Sequence, residues 1–228
     1  MRKCFLRNIL FVVAAFGCHN TTIGQNYEAG MRVDATFKIS ERWDIDAYMK
    51  GAFNNCGADY IWVRTGANLK FTIYNNTKIF LGTIVGGAKY LHIENLDAIT
   101  TLVEGIQTMT KAKFEHKLIF EQRSLYFYPS EYMQNCSRFT YVVGRNTQIG
   151  KSGKYLINTE AAASFNIRSD IDDCEYLQRI KLKAGIVRHL TQRIDVGVNY
   201  TYMFGGKRQV YFDEANDYHA VVVVVSWH

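Results

Sequence analysis

The chain has 228 residues, enough for one sizeable domain, and carries a formal net charge of +6 with a single proline and 15 tyrosines. Its first cations, Arg2, Lys3 and Arg7, belong to the N-terminal segment, and downstream of them 24 basic residues face 21 acidic ones. This balance argues against nucleic-acid binding. The scarcity of proline and the many tyrosines favour long, uninterrupted β-strands.

Residues 1–24 have the features of a cleaved export signal. A basic start precedes the apolar run ILFVVAAFG (9–17), and residues 22–24 supply small side chains for cleavage. The run is far shorter than the roughly 20 residues that a membrane-spanning helix needs. Lipid attachment at Cys18 is the alternative. No linker or composition break follows, so we expect one domain over residues 25–228.

Downstream of this segment, alternation of apolar and polar side chains predicts β-strands over Gly30–Ile39, Trp43–Lys50 and Ile61–Ile73. The stretch Lys78–Ile93 also alternates but loses phase at Gly86–Gly87, where we expect a β-bulge. Thr100–Thr110 alternates weakly and is predicted as a further strand.

The stretch KFEHKLIFEQR (113–123) has the strictest alternation of the chain. One face carries charges and the other carries Phe114, Leu118 and Phe120. We expect the apolar face to meet lipid and the charged face to line the inside of a barrel. A soluble sandwich or an exported soluble barrel that binds a small ligand is the alternative, and its charged face would point outward instead.

The pattern continues to Arg193–Phe204 and a closing apolar strand, giving eleven strands in all. Short polar turns (40–42, 74–77, 110–113, 150–154, 190–192) alternate with longer links (54–59, 92–98, 128–135, 168–174, 205–217). This is the connection pattern of an antiparallel up-and-down transmembrane β-barrel, with the long loops outside the cell. Bacterial single-chain barrels have even strand numbers. We therefore expect about 10–12 strands, with Gly30–Ile39 not spanning or one strand still unrecognised.

Aromatic side chains support the membrane interpretation, because they fall at the ends of apolar faces, where a barrel carries its interfacial girdles. They are Trp43, Tyr155, Tyr200, Tyr202, Phe204 and Trp227.

Four stretches carry a family resemblance: EHKLIFEQR (115–123), SRFTYVVGR (137–145), LINTEAAASF (156–165) and EYLQRIKLKAGIVRHLTQRIDVGVNYTYMF (175–204). They resemble an uncharacterised family of predicted outer-membrane β-barrel proteins of Gram-negative bacteria, a domain of unknown function. The resemblance covers the C-terminal half by motif and the N-terminal half by pattern. It implies fold and outer-membrane location, and no activity.

The last strand resembles a barrel-insertion signal. Val221, Val223, Val225 and Trp227 lie in one register that ends on an aromatic residue, although His228 follows it. We expect the barrel-assembly machinery and outer-membrane lipid as partners, a small solute as a further candidate partner, and no nucleic acid.

The candidate site is a set of charges that the alternation places inside the barrel. We expect them to be paired, since unpaired buried charges cost several kcal/mol each. Glu160 is predicted to lie opposite Arg179 and Lys181, with Lys183 further along. These charges either knit the interior together or form a narrow path or pocket for a solute. The set is Glu115, Lys117, Glu121, Arg123, Arg138, Glu160, Arg179, Lys181 and Lys183.

Other sequence patterns give weaker support for a functional site. GRNTQIGKS (144–152) has five residues between its glycines where a phosphate loop needs four, so a turn is expected. An outer-membrane hydrolase or acyltransferase would need a neighbouring Ser and His. His116 and Ser124 are eight residues apart on one strand, about 27 Å, and cannot act together. We expect no catalytic residue and no cofactor.

Metal binding is also not expected, since an acidic loop at residues 170–173 is more simply solvated. Cys56, Cys136 and Cys174 remain after the signal segment. We expect them in surface loops, with Cys136 and Cys174 as a candidate loop disulfide in the oxidising environment of an exported protein.

Overall fold

The computed structural model describes residues 26–54, 60–90, 96–128, 132–150, 153–169, 177–204 and 217–228. Within these ranges the protein is all-β and contains no helix, so no helix there is long and apolar enough to cross a membrane. The predicted signal segment, Cys18, Cys56, Cys174 and the acidic loop lie outside the described residues.

Eleven strands follow one another along the chain and close into a barrel. They are β1 (Asn26–Lys38), β2 (Trp43–Asn54), β3 (Tyr60–Tyr74), β4 (Thr77–Tyr90), β5 (Leu96–Met109), β6 (Phe114–Tyr128), β7 (Tyr132–Ile149), β8 (Tyr155–Ser169), β9 (Leu177–His189), β10 (Ile194–Phe204) and β11 (Asp217–Trp227).

Each strand pairs antiparallel with the next, and β1 pairs parallel with β11 to close the barrel. The parallel register runs without a break from Asn26 opposite Tyr218 to Ala35 opposite Trp227. The predicted all-β barrel of about 10–12 strands is therefore confirmed, and the structure contains the eleven strands counted in the sequence. The even strand number expected of bacterial barrels is not met, and the pairing is antiparallel everywhere except between β1 and β11. With an odd number of alternating strands the first and the last point in the same direction, so only parallel pairing can close the sheet.

The two rims of the barrel differ. One rim, here called the short-turn rim, carries the links 39–42, 75–76, 110–113, 150–154 and 190–193, and β11 ends there. The other, the long-loop rim, is where β1 begins and where the links that include residues 170–176 and 205–216 leave the strands. The link between β6 and β7 is shorter than predicted, because β7 already begins at Tyr132.

The predicted bulge at Gly86–Gly87 is absent, since β4 pairs continuously with β5 through both residues. The apparent loss of phase has another cause. Gly86 lies on the inward face opposite Arg64, and a Cβ there would meet Arg64 Cγ and Val63 O at 2.6 Å. Glycine thus leaves room for the arginine. The register shifts that do occur lie at Thr72/Tyr74, Ser137/Arg138 and Ser164/Phe165.

Inward and outward faces alternate along every strand, as the period-two pattern predicts. In β6, Glu121 faces inward and is 8% exposed, whereas Leu118 faces outward and is 41% exposed. Apolar packing inside the barrel is local: Ala220, Val222 and Val224 of β11 form one cluster. The rest of the described interior is largely polar. The candidate site therefore lies on the inward face of the strands.

Candidate functional site in the barrel interior

All the charges singled out in the sequence lie on inward positions of β6 to β9. The same face continues through β1 to β4, which the sequence analysis did not single out although the same alternation marks them. Further inward charges there and on β10 are Glu28, Arg32, Asp34, Lys38, Asp44, Asp46, Lys50, Arg64, Lys70, Lys78 and Asp195.

Glu121 is the centre of the first network. Arg138, directly opposite on β7, donates from Nε to Glu121 Oε2 at 2.7 Å and also forms an ion pair through its terminal nitrogen. Arg123, two residues along on the same face, donates to both carboxylate oxygens at 3.1 and 3.2 Å. Both Glu121 and Arg138 are buried. The carboxylate is therefore satisfied on both oxygens, the condition under which a buried ion pair is tolerated.

Glu160 holds the second network. Its two oxygens accept from Lys181 Nζ at 2.6 Å and from Lys183 Nζ at 3.3 Å. The predicted partner Arg179 does not reach it and lies opposite Ser164 instead. The reason is the register: the irregularity at Ser164/Phe165 shifts β8 against β9 and brings Lys183 directly opposite Glu160.

A third network, near the long-loop rim, joins three strands. Glu28 of β1 is 4% exposed and accepts from Trp62 Nε1 at 2.7 Å. Lys50 of β2 donates to its other oxygen at 3.3 Å and stacks over the Trp62 ring at 4.6 Å. Arg64 covers the same ring at 4.9 Å. A buried tryptophan with its N–H on a carboxylate and cations on its face fixes all four side chains.

The interior near the short-turn rim is richer in carboxylates. Asp44 pairs with Lys78 at 2.5 Å, and Asp46 pairs with Lys70. Asp195, at the start of β10, contacts two histidines, His189 Nδ1 at 2.6 Å and His228 Nε2 at 3.2 Å. Glu115 pairs with Lys117 at 2.9 Å.

The residues considered for catalysis lie on the outer wall, the outward face of the barrel. His116 bonds to the Tyr141 hydroxyl through Nδ1 at 2.7 Å, and Ser124 donates to Asn135 at 2.8 Å. The two side chains therefore engage different neighbours. Of the stretch 144–152, residues 144–149 lie in β7 and Gly150 follows with a φ of 75°, while residues 151 and 152 lie outside the described residues.

The cysteine prediction is corrected in part. Cys136 lies within β7 on the inward face and is 7% exposed, not at the surface of a loop. Cys136 belongs to the strand because β7 begins four positions before it, at Tyr132. The candidate disulfide with Cys174 remains a prediction, since Cys174 is outside the described residues. Among the described residues no group of His, Cys, Asp and Glu is arranged to hold a metal ion.

A shallow groove of about 710 Å³ marks the outer wall across β6 to β11. Small side chains such as Ala161 and Ala184 form its floor, and Phe114 and Tyr202 stand at its sides. Its lining also includes Glu160 and Lys183 of the second charge network.

No family model matches the chain, and no curated protein matches it. Among solved structures it matches the siderophore receptor PirA from Pseudomonas aeruginosa, with a TM-score of 0.34 and 7% identity, over 75% of this chain and 33% of that chain. The chain thus spans about a third of the length of the receptor. A likeness this weak carries no argument about what this protein does.

Proposed function

We propose that this protein is exported through its N-terminal signal and assembles in the outer membrane of a Gram-negative cell, where its charged and largely filled interior serves as a narrow path or pocket for small solutes. The proposal includes membership of the uncharacterised outer-membrane barrel family that its C-terminal half resembles, and insertion through the closing strand.

One observation carries the proposal: the distribution of side chains between the two faces is inverted relative to a soluble barrel. Large hydrophobic side chains are exposed on each of the eleven strands, for example Met31, Met49 and Ile186 at 53, 58 and 57%. Buried positions on the other face hold Glu28 and Arg138. In water such a surface would forgo about 25 cal/mol for each Å² of apolar area left exposed. It is suited to hydrocarbon.

The aromatic girdle supports the same proposal. Trp43, Tyr155 and Trp227 are exposed on the outer wall close to the short-turn rim. Tyr202 and Phe204 stack at 5.6 Å near the opposite rim. Two aromatic bands at the ends of an apolar wall are what the two interfaces of a bilayer select.

The direct test is fractionation of cells that express the full chain, followed by gel electrophoresis with and without heating. We expect the protein in the outer-membrane fraction and a different apparent size when unheated, because closed barrels resist detergent until boiled. Recovery as a soluble periplasmic protein, alongside a periplasmic marker, would overturn the proposal. Conductance in planar bilayers then separates a solute path from a filled, silent barrel.

A further inference from the structure

We infer that the barrel interior passes small anions in preference to cations. This inference rests on the proposed function, in which the interior forms a path for small solutes. The observation behind this is an excess of positive charge in the part of the interior away from the short-turn rim. This part comprises the inward positions that lie five or more residues from the short-turn end of their strand.

That part of the interior contains eight cations and three carboxylates among the side chains that the structure describes. The carboxylates are Glu28, Glu121 and Glu160. The cations are Arg32, Lys50, Arg64, Arg123, Arg138, Arg179, Lys181 and Lys183. The positions nearer the short-turn rim do not share this excess, since Asp34, Asp44, Asp46, Glu115 and Asp195 lie there.

The three carboxylates are already occupied. Glu121 accepts from two arginines and Glu160 from two lysines, so each of these carboxylates already faces two cations. Glu28 accepts from Lys50 on one oxygen and from Trp62 on the other. The Glu121 and Glu160 networks therefore each contain one more cation than carboxylates.

The two networks lie on different walls of the barrel: Glu121 is on β6 opposite Arg138 of β7, and Glu160 is on β8 opposite Lys183 of β9. Arg32 of β1 pairs with Asp34 at 2.7 Å and lies 4.6 Å from the centre of the Tyr48 ring. The Arg123 Nε is buried without a hydrogen-bond partner among the described residues, so one donor of this group is unused.

Converging cations inside low-dielectric walls focus a positive potential on the axis, which concentrates anions and repels cations. Guanidinium groups suit planar oxyanions, because their forked N–H groups match carboxylate and phosphate oxygens. The ligand class is therefore a small anion, either halide or oxyanion.

The test is the reversal potential of the reconstituted full-length barrel across a KCl gradient. We expect a sign that reports chloride selectivity. Lys183→Gln removes one interior positive charge and should move the reversal potential toward zero, whereas Glu160→Gln removes one interior negative charge and should move it further in the anion-selective direction. Lys111→Gln, in an exposed turn, makes the same change of net charge outside the interior and should leave the potential unchanged. Heat-modifiable mobility verifies that each variant folds.

The outcomes separate the two ideas. Cation selectivity, an unselective step, or equal shifts for Lys183→Gln and Lys111→Gln would overturn the inference and leave the membrane barrel intact. A heat-modifiable barrel without any conductance would overturn the inference and the solute path, but not the location. Failure to enter membranes would overturn the proposed function itself.

Discussion

Glu28, Glu121 and Glu160 are each shared between two donors, so removing one of these carboxylates leaves the neighbouring cations without their counter-charge. Glu160 shows this most clearly, because both of its donors are lysines on the same strand. In such an arrangement the carboxylate attracts both ammonium groups and offsets the repulsion between them.

Glu160→Ala should therefore destabilise the folded barrel by about 3–5 kcal/mol, since Lys181 and Lys183 lose their common partner. Glu160→Gln keeps an acceptor and should lose less. Denaturant unfolding of the refolded protein measures both, with Glu41→Gln in an exposed turn as the control. If both Glu160 variants resist denaturant like the parent, the inward placement of this part of β8 is wrong.

Trp62 gives a second prediction at this scale. Trp62→Phe keeps most of the ring but removes the N–H that Glu28 accepts at 2.7 Å. A lost hydrogen bond to a charged group should cost about 1.5–3 kcal/mol. Trp43→Phe, on the outer wall, is the matched control and should change the free energy of unfolding much less. Equal losses for the two variants would mean that ring size, not the indole donor, matters.

At the scale of elements, β5 carries an exception on its outward face. Glu104 is exposed between Leu81 of β4 and Phe120 of β6. It lies five residues from Met109 at one end of the strand and eight from Leu96 at the other. If the outer wall meets lipid, a carboxylate at this depth is unfavourable.

Glu104→Leu should accordingly stabilise the barrel in lipid by up to about 2 kcal/mol, less than the cost of a lysine or arginine at mid-depth. Unfolding in lipid vesicles measures the change. Glu115→Leu, on the inward face of β6, is the control and should destabilise. A loss of stability in Glu104→Leu would show that the carboxylate has a partner in the membrane.

The pairing of β1 with β2 depends on close backbone approach at Gly30, which lies opposite Ala52. A Cβ on Gly30 would meet Ala52 Cβ and Gly51 O at 2.7 Å, whereas a Cβ on Gly51 would meet nothing nearer than 3.8 Å. Gly30→Ala should thus destabilise the barrel by about 1–3 kcal/mol through overpacking, while Gly51→Ala should be tolerated. Thermal unfolding of the two variants provides the comparison, and similar values for both would contradict this packing of β1 against β2.

For the whole molecule, the parallel seam places the first residue of β1 and the last residue of β11 at opposite rims. In intact cells an epitope inserted after Gln25 should be reached by antibody, while one added after His228 should be reached only after the outer membrane is breached. Immunolabelling before and after permeabilisation tests this orientation. The reverse pattern would turn the barrel over.

Local alternation predicted which side chains face inward, because that property depends only on a period of two along one strand. Glu121 and Leu118 were assigned in this way. Of the partners of Glu160, Lys181 was predicted correctly, but Arg179 was predicted in place of Lys183. Pairing depends on where β8 and β9 slip past one another, and the irregularity at Ser164/Phe165 leaves no local signature. Gly86 was wrongly predicted to mark a bulge, because its role depends on Arg64 of the neighbouring strand β3.

The strand number illustrates the same limit at the largest scale. The sequence pattern contained eleven strands, but nothing within a strand states whether it runs parallel or antiparallel to a partner about 190 residues away, so the count was judged against the even-numbered rule. The candidate site was recognised only in part for a related reason. The charges of β6 to β9 stood out by density, while Glu28 and Trp62 become a site only once three strands are side by side.

The parallel seam also constrains how this chain can be rearranged. Barrels with an even number of antiparallel strands have both chain ends at one rim. A short linker can therefore join those ends, and new ends can be made elsewhere. Here a linker would have to run the full height of the wall, about 36 Å for the 11 residues of β11. It would have to thread the barrel interior or lie across the outer wall. A short linker therefore cannot join the two ends, so this barrel cannot be circularly permuted in that way without a change of strand order.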